Sequence, residues 1–269
     1  MRQDQLLDRL VEVLRADRRV QAAWLSGSLA RDEGDQFSDV DLVVAVDDAE
    51  RDALLADWDD LAASVAPIVF SNRLDAGPTT VLNHVTDEWL RFDVAVLSPE
   101  GVVRTRTASS LRTLFDPTGL HERLRPAGET LQPSGPRIEG LVREFLRVLG
   151  LLPVVLGRDE LVVGASGSGL LRTMVVQLML EDTAVEDRGG ALRLRGLLPD
   201  DRMAAVAALP PIEATRESVI AVHLACAELF LPLARQLAAR TGVAWPDDME
   251  RALRAHLERQ LGLDLAPSA

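Results

Sequence analysis

The segment WLSGSLARDEGDQFSDVDLVVAV, residues 24–46, constrains this chain more than any other stretch. An apolar run leads to Gly27 and Ser28, and ten residues later Asp39 and Asp41, separated by one valine, open a strongly β-type run. Side chains two apart on a strand project from the same face, so the two carboxylates point to one spot. Like charges this close are costly unless a cation neutralises them, and Mg²⁺ prefers such hard oxygen ligands, usually together with phosphate oxygens.

The Gly-Ser step before the acidic pair completes this pattern. Gly27 permits close backbone approach, and the Ser28 hydroxyl can serve an anion at the start of a following helix. A carboxylate pair next to a phosphate cradle predicts a site for a Mg²⁺–nucleotide complex. Ser38, directly before Asp39, is a further candidate nucleotide ligand.

A third carboxylate lies in the apolar run WLRFDVAVL, residues 89–97. In a strand, Phe92 and Val94 point to one face and Asp93 points to the other. If this strand pairs beside the Asp41 strand, Asp93 can share a metal or accept a proton from an incoming hydroxyl. The spacing alone leaves that adjacency open.

Composition excludes several classes of protein. The 269 residues are 47% apolar and 26% charged, which is typical of a folded globular chain. The net charge is −13, and residues 1–136 carry 14 Arg against 24 Asp plus Glu, which argues against a duplex nucleic-acid binder. No apolar stretch reaches the roughly 20 residues of a membrane span, and no secretory signal is apparent, so we predict a cytoplasmic protein without a membrane partner. A single cysteine, Cys226, argues against redox chemistry.

The character of the chain changes at a Pro- and Gly-rich stretch, residues 125–137. Before it, helical and β-type segments alternate; after it come long Leu-, Ala- and Arg-rich segments of helical period. We therefore predict an α+β domain with a mixed sheet and flanking helices over 1–130, and an all-α bundle over 131–269. Expected strands cover 20–25, 40–46, 79–84, 89–97 and 114–116; expected helices cover 5–15, 48–66, 138–157, 165–183, 212–240 and 246–261.

The pattern Gly-Ser, ten residues, Asp-x-Asp and a later acidic strand residue resembles the DNA polymerase beta-type nucleotidyltransferase superfamily. Four segments, GSLARDEGDQFSDVD, LFDPTG, GRDEL and LARQLAARTGVAWPDDMERAL, are similar to two-domain antibiotic nucleotidyltransferases, with the lincosamide type closest and the aminoglycoside type sharing the layout. The resemblance implies transfer of a nucleoside monophosphate, usually AMP, from a nucleoside triphosphate to a drug hydroxyl, with release of pyrophosphate. The nucleoside triphosphate that it leads us to expect is ATP.

The resemblance also implies roles for individual residues. Gly27 and Ser28 would hold the triphosphate, and Asp39 and Asp41 would bind Mg²⁺. Asp93 would act as the general base and third metal ligand, at a position where the lincosamide type has the longer glutamate.

Three arginines complete the predicted nucleotide site. Arg31 follows the cradle by one helical turn, and Arg158 and Arg172 lie where relatives carry basic residues facing the triphosphate. For each of them the alternative is an ordinary surface arginine. The glycine-rich run GASGSG, residues 164–169, lacks the strand and the lysine of a P-loop and is predicted to be a loop or helix cap.

The sequence leaves several functions open. The favoured acceptor is a lincosamide; alternatives are an aminoglycoside, a protein substrate, or no acceptor at all in a non-catalytic nucleotide-binding module. The expected partner is thus a small-molecule antibiotic and not a nucleic acid, and the chain is expected to act as a monomer or homodimer.

Overall fold

The structure is a computed structural model that describes residues 1–126, 131–183, 185 and 194–265. The chain divides into two compact units, Met1–Glu129 and Thr130–Ala269. The first combines a mixed sheet with helices and the second is helical, which confirms the predicted fold class. A catalytic role for residues 1–130, and substrate and nucleotide binding by residues 131–269, are predictions.

The first unit is built on a six-stranded sheet with the order β3-β4-β5-β2-β1-β6. Its strands are β1 (Val20–Leu25), β2 (Val40–Val46), β3 (Ile68–Ala76), β4 (Thr79–Thr86), β5 (Arg91–Leu97) and β6 (Arg112–Phe115). Strands β2 and β5 are parallel, and the other four neighbouring pairs are antiparallel. The parallel pair lies in the middle of the sheet and brings the two acidic segments of the sequence side by side.

Helices cover both faces of this sheet. The first unit contains α1 (Gln3–Ala16), α2 (Gly27–Ala30), α3 (Asp48–Val65) and α4 (Pro99–Thr105), with 3-10 turns at Ala108–Ser110 and Leu120–Arg123. Alternate residues of β2, among them Leu42 and Val44, pack with the leucines of α1 and with Trp58 of α3. The residues between them, Val43 and Ala45, pack on the other face with Val102 of α4. Because side chains alternate along a strand, Asp41 lies on the same face of the sheet as Val43 and Ala45, the face that packs against α4. It lies past the end of the apolar residues on that face.

Strand β3 was not predicted. It forms an edge of the sheet, and every residue after Ile68 is exposed, so the alternation of buried and exposed residues that identifies a strand is missing. Strand β5 begins at Arg91, two residues later than predicted, because Trp89 adopts a positive φ of 64° within the β4–β5 turn.

The second unit consists of seven described helices: α5 (Gly135–Leu149), α6 (Leu152–Gly157), α7 (Leu161–Glu181), α8 (Leu194–Leu197), α9 (Asp200–Ala207), α10 (Arg216–Thr241) and α11 (Asp247–Leu261). The helix predicted over 138–157 is in fact two helices, since Pro153 lies in the first turn of α6 and cannot continue α5. The short helices α8 and α9 were not predicted.

The GASGSG run lies inside α7, so the predicted loop or cap was wrong. A Cβ atom at Gly164 would lie 3.1 Å from Val219 Cγ1 of α10, which shows that the glycine permits close approach of the two helices. By length and composition alone, α7 and α10 are apolar enough to cross a membrane, but core helices meet the same measures. Both contribute to the buried core of the second unit, for example through Leu171 and Phe230.

Candidate active site

Asp41 and Asp93 lie directly beside each other on the parallel strands β2 and β5. The sequence alone left open whether the two strands are neighbours, and the sheet order shows that they are. Both side chains are partly exposed, in contrast to the fully buried Leu42 and Phe92 next to them in sequence. The two carboxylates therefore share one open face of the sheet.

Gly27 brings the backbone against this pair. Its φ is +66°, and a Cβ atom at this position would lie 2.1 Å from Asp41 Oδ2, which is far inside van der Waals contact. The amide of Ser26, the preceding residue, donates to the backbone oxygen of Asp41 at 2.8 Å. The chain after β1 thus passes over the carboxylate of Asp41, and only glycine leaves room for it.

Asp39 lies just before β2 and is held by an arginine that the sequence analysis did not single out. The Arg91 guanidinium donates to Asp39 Oδ1 at 2.8 Å and to the backbone oxygen of Phe37 at 3.0 Å. Arg91 and Asp93 are two apart on β5 and so share a face. The signal for Arg91 was its position in the acidic strand, but a lone arginine at a strand end is more often a solvated surface residue.

The charges of Asp39 and Asp93 affect the ionisation of Asp41. Burial, followed by the charges of Asp39 and Asp93, raises the pKa of Asp41 to about 6, while Arg31 and Arg91 oppose the shift. Negative charge at this site is therefore incompletely neutralised by the protein. Such a site favours a bound cation.

Ser28, Ser38 and Arg31 surround this site along the chain. Ser28 lies in the first turn of α2, where backbone N–H groups have no partner within the helix. The Ser38 hydroxyl accepts from the Asp35 amide at 3.0 Å and thereby braces the loop before Asp39. Arg31 forms an ion pair with Glu33 at 2.9 Å. The charge of Arg31 also lowers the pKa of Asp41.

The other two predicted phosphate ligands belong to the second unit. Arg158 directly follows α6 as its C-cap residue and is exposed. Arg172 lies in α7, is partly buried, and donates to the backbone oxygen of Pro210. Arg172 therefore already stabilises the end of a neighbouring loop, and its role in nucleotide binding stays a prediction.

The donor chemistry of the first-unit site fits Mg²⁺. Asp39 and Asp41 offer hard carboxylate oxygens, and the close backbone approach at Gly27 keeps side-chain bulk away from Asp41. As positioned, however, no three His, Cys, Asp or Glu side chains of the described residues are grouped closely enough to hold an ion.

Other reactive side chains are engaged in packing. Burial raises the pKa of the Cys226 thiol to about 11, which keeps it in the unreactive protonated form. His84 accepts from the Trp58 indole at 3.2 Å, and His223 lies 2.7 Å from the backbone oxygen of Val219. These contacts are structural.

Comparison with known proteins identifies the family. The model of the streptomycin adenylyltransferase family matches residues 1–260. This chain belongs to that family. Membership makes it an enzyme, a nucleotidyltransferase of the antibiotic-modifying type, and confirms the resemblance drawn from the Gly-Ser and Asp-x-Asp motifs.

Two solved structures are also similar. One is an aminoglycoside 6-adenyltransferase from Bacillus subtilis, with 12% identity, a TM-score of 0.43, and coverage of 95% of this chain and 98% of the other. The other is a nucleotidyltransferase-like protein from Exiguobacterium sibiricum, with 13% identity, a TM-score of 0.32, and coverage of 97% and 88%. Likeness at this level says nothing further about fold or substrate. No curated protein matches the chain.

Proposed function

We propose that this enzyme transfers AMP from ATP to a hydroxyl group of an aminoglycoside antibiotic of the streptomycin class and releases pyrophosphate. The observation that carries the proposal is the direct pairing of Asp41 and Asp93 on β2 and β5, with the Gly27 backbone against Asp41. The description of the family names streptomycin, and the acidity of the first half of the chain suits a cationic acceptor. A cytoplasmic location, where ATP is available, is part of this proposal.

The placement of the residues supports the following roles. Asp39 and Asp41 would hold Mg²⁺, which when bound supplies charge neutralisation at the α-phosphate. Gly27 and Ser28 bind the triphosphate through N–H groups and a hydroxyl. The acceptor oxygen forms its bond to the α-phosphorus as the bond to pyrophosphate breaks, and its proton passes to the Asp93 carboxylate.

A transfer assay tests this function. Pyrophosphate release is measured with ATP and Mg²⁺ against streptomycin, other aminoglycosides and lincosamides, and the products are weighed by mass spectrometry. We expect streptomycin to gain the mass of one nucleoside monophosphate. Gain by a lincosamide alone would instead support the acceptor that the sequence segments favoured.

The matched variants are Asp41→Asn, Asp93→Asn and Asp52→Asn. The first two remove a charge at the site with little change in shape, and we expect each to lower turnover at least about a hundredfold. Asp52 is exposed on α3 and serves as the control, with unchanged turnover expected. Full activity of Asp41→Asn would contradict the proposal, as would silence with every drug and every triphosphate.

A further inference from the structure

A row of polar side chains crosses the sheet and ends at the acidic pair. Asn72 of β3 lies opposite Asn83 of β4, and Asn83 lies opposite Asp93 of β5, which in turn lies beside Asp41 of β2. Because opposite residues on paired strands project to the same side, all four belong to the face that carries the site. Directly opposite Cβ atoms are about 4.5–5.5 Å apart, so Asn83 is an immediate neighbour of Asp93.

The two asparagines contribute little to the sheet itself. Asparagine is depleted in strands because its side chain competes for backbone hydrogen bonds. The Asn72 amide donates to Asn83 Oδ1 at a long 3.4 Å. Within the part of the chain that the structure describes, the Asn83 amide nitrogen donates to no protein group. A residue type that is unfavourable in a strand, and whose amide nitrogen has no protein acceptor among the described residues, points to a ligand.

Apolar side chains flank this row on the same face. Phe70 and Leu74 on β3 are about half exposed, at 52% and 53%. They lie opposite Val85 and Val81 of β4, which are partly buried. The surface thus offers amide donors and acceptors in a central line with hydrophobic walls on either side, which suits a ring that carries hydroxyl groups at its edge and C–H groups on its faces.

The row also lies on the correct side of the acidic pair. Going across the sheet, the Gly27 cradle adjoins Asp41 from the β1 side, whereas Asn83 adjoins Asp93 from the β4 side. A triphosphate at the cradle and an acceptor on the β4 side would therefore meet at the two carboxylates. This order places the acceptor hydroxyl next to Asp93.

We propose that the β3–β4–β5 face is the acceptor site, and that Asn83 hydrogen-bonds a polyhydroxylated, cationic acceptor so that a neighbouring hydroxyl meets Asp93. Asn72 makes a second, outer contact to the same ring, and Leu74 and Val81 pack against its C–H face. This inference rests on the proposed function and names the surface that selects its acceptor.

The test compares Asn83→Leu, Asn83→Ala and Asn72→Ala with wild type, using streptomycin as the acceptor. Ser71→Ala is the matched control, because Ser71 is an exposed neighbour on β3 that projects to the opposite face. Binding of streptomycin without nucleotide is measured by calorimetry, and KM for streptomycin and for ATP by pyrophosphate release. Leucine preserves size and suits a strand, so loss of binding in Asn83→Leu with an unchanged circular dichroism spectrum isolates the amide.

We expect Asn83→Leu to raise the Kd and KM for streptomycin about tenfold and Asn72→Ala to raise them about threefold, with KM for ATP within twofold of wild type. If Asn83→Leu binds streptomycin as tightly as wild type does, the proposed acceptor site is overturned. If wild type still transfers AMP to streptomycin in that case, the proposed function stands. A raised KM for ATP alone overturns the acceptor site in favour of a nucleotide contact. Absence of any transfer by wild type overturns the proposed function, and the acceptor site with it.

Discussion

At the scale of single residues, Gly27 leaves no room for a side chain. An alanine there meets two obstacles, the left-handed φ of +66° and Asp41 Oδ2 at 2.1 Å from the new Cβ atom. Asp41 would have to shift by more than an ångström, and displacement on that scale costs about a hundredfold in rate. We therefore expect Gly27→Ala to lower turnover about a hundredfold, as measured in the pyrophosphate assay.

Gly77 provides the matched control for this substitution. It has a similar φ of +61° in the β3–β4 turn, but a Cβ atom there has no neighbour within 4 Å. Gly77→Ala carries the same backbone strain, about 1 kcal/mol, without the clash, and we expect turnover within twofold of wild type. Equal activity of the two variants would show that Asp41 does not need its present position.

Sequence reasoning found the acidic and glycine positions because each breaks a simple pattern. Asp39, Asp41 and Asp93 are charges in β-type runs, and such exceptions are visible without a structure. Arg91 and Asn83 were missed because their meaning depends on which strands are neighbours. The parallel pairing of β2 with β5, which joins residues 52 positions apart such as Asp41 and Asp93, is set by the whole sheet and by no local signal.

At the scale of elements, the packing of α7 against α10 depends on small residues. A Cβ atom added at Gly164 would lie 3.1 Å from a methyl group of Val219, whereas a Cβ atom added at Gly169 of the same helix would face open space. We expect Gly164→Val to destabilise the protein by about 1–3 kcal/mol through overpacking. Gly169→Ala should stabilise it by about 0.5–1 kcal/mol, because alanine is the better helix former. Urea unfolding measures both, and a Gly164→Val variant as stable as wild type would contradict the close contact.

The same elements show why some predictions of secondary structure were wrong. The GASGSG run in α7 was predicted to be a loop or cap once a P-loop had been excluded. Glycine is a poor helix former in isolation, but tertiary packing against α10 overrides that propensity. Strand β3 was missed because an exposed edge strand has no buried face to impose an alternating pattern. The deciding contact of α7 lies on α10, far away in sequence, whereas β3 pairs with β4, the strand that directly follows it.

At the scale of the whole molecule, each unit contains one buried histidine with a lowered pKa. Burial lowers the pKa of His84 in the first unit and of His223 in the second. Below about pH 6.5 these two histidines bind protons more readily in the unfolded chain than in the folded one. The free energy of unfolding that they contribute is therefore fully present above that pH and falls as the pH decreases through it. In the first unit Asp41 has the opposite effect on the pH dependence of stability. Its pKa is raised to about 6, so it becomes protonated more readily in the folded chain, and this protonation stabilises the fold as the pH falls.

The second unit is therefore where the loss between pH 7.5 and 5.5 should be clearest. His223 Nδ1 lies 2.7 Å from the Val219 backbone oxygen, which only accepts, so the neutral ring keeps its proton there and a second proton would be buried at Nε2. We expect His223→Gln to reduce the loss of unfolding free energy over this pH interval, measured by urea titration at both pH values. His256→Gln is the control because His256 is only partly buried and lies on α11, and it should keep the wild-type loss. An unchanged loss in His223→Gln would assign the acid sensitivity of the enzyme to other groups.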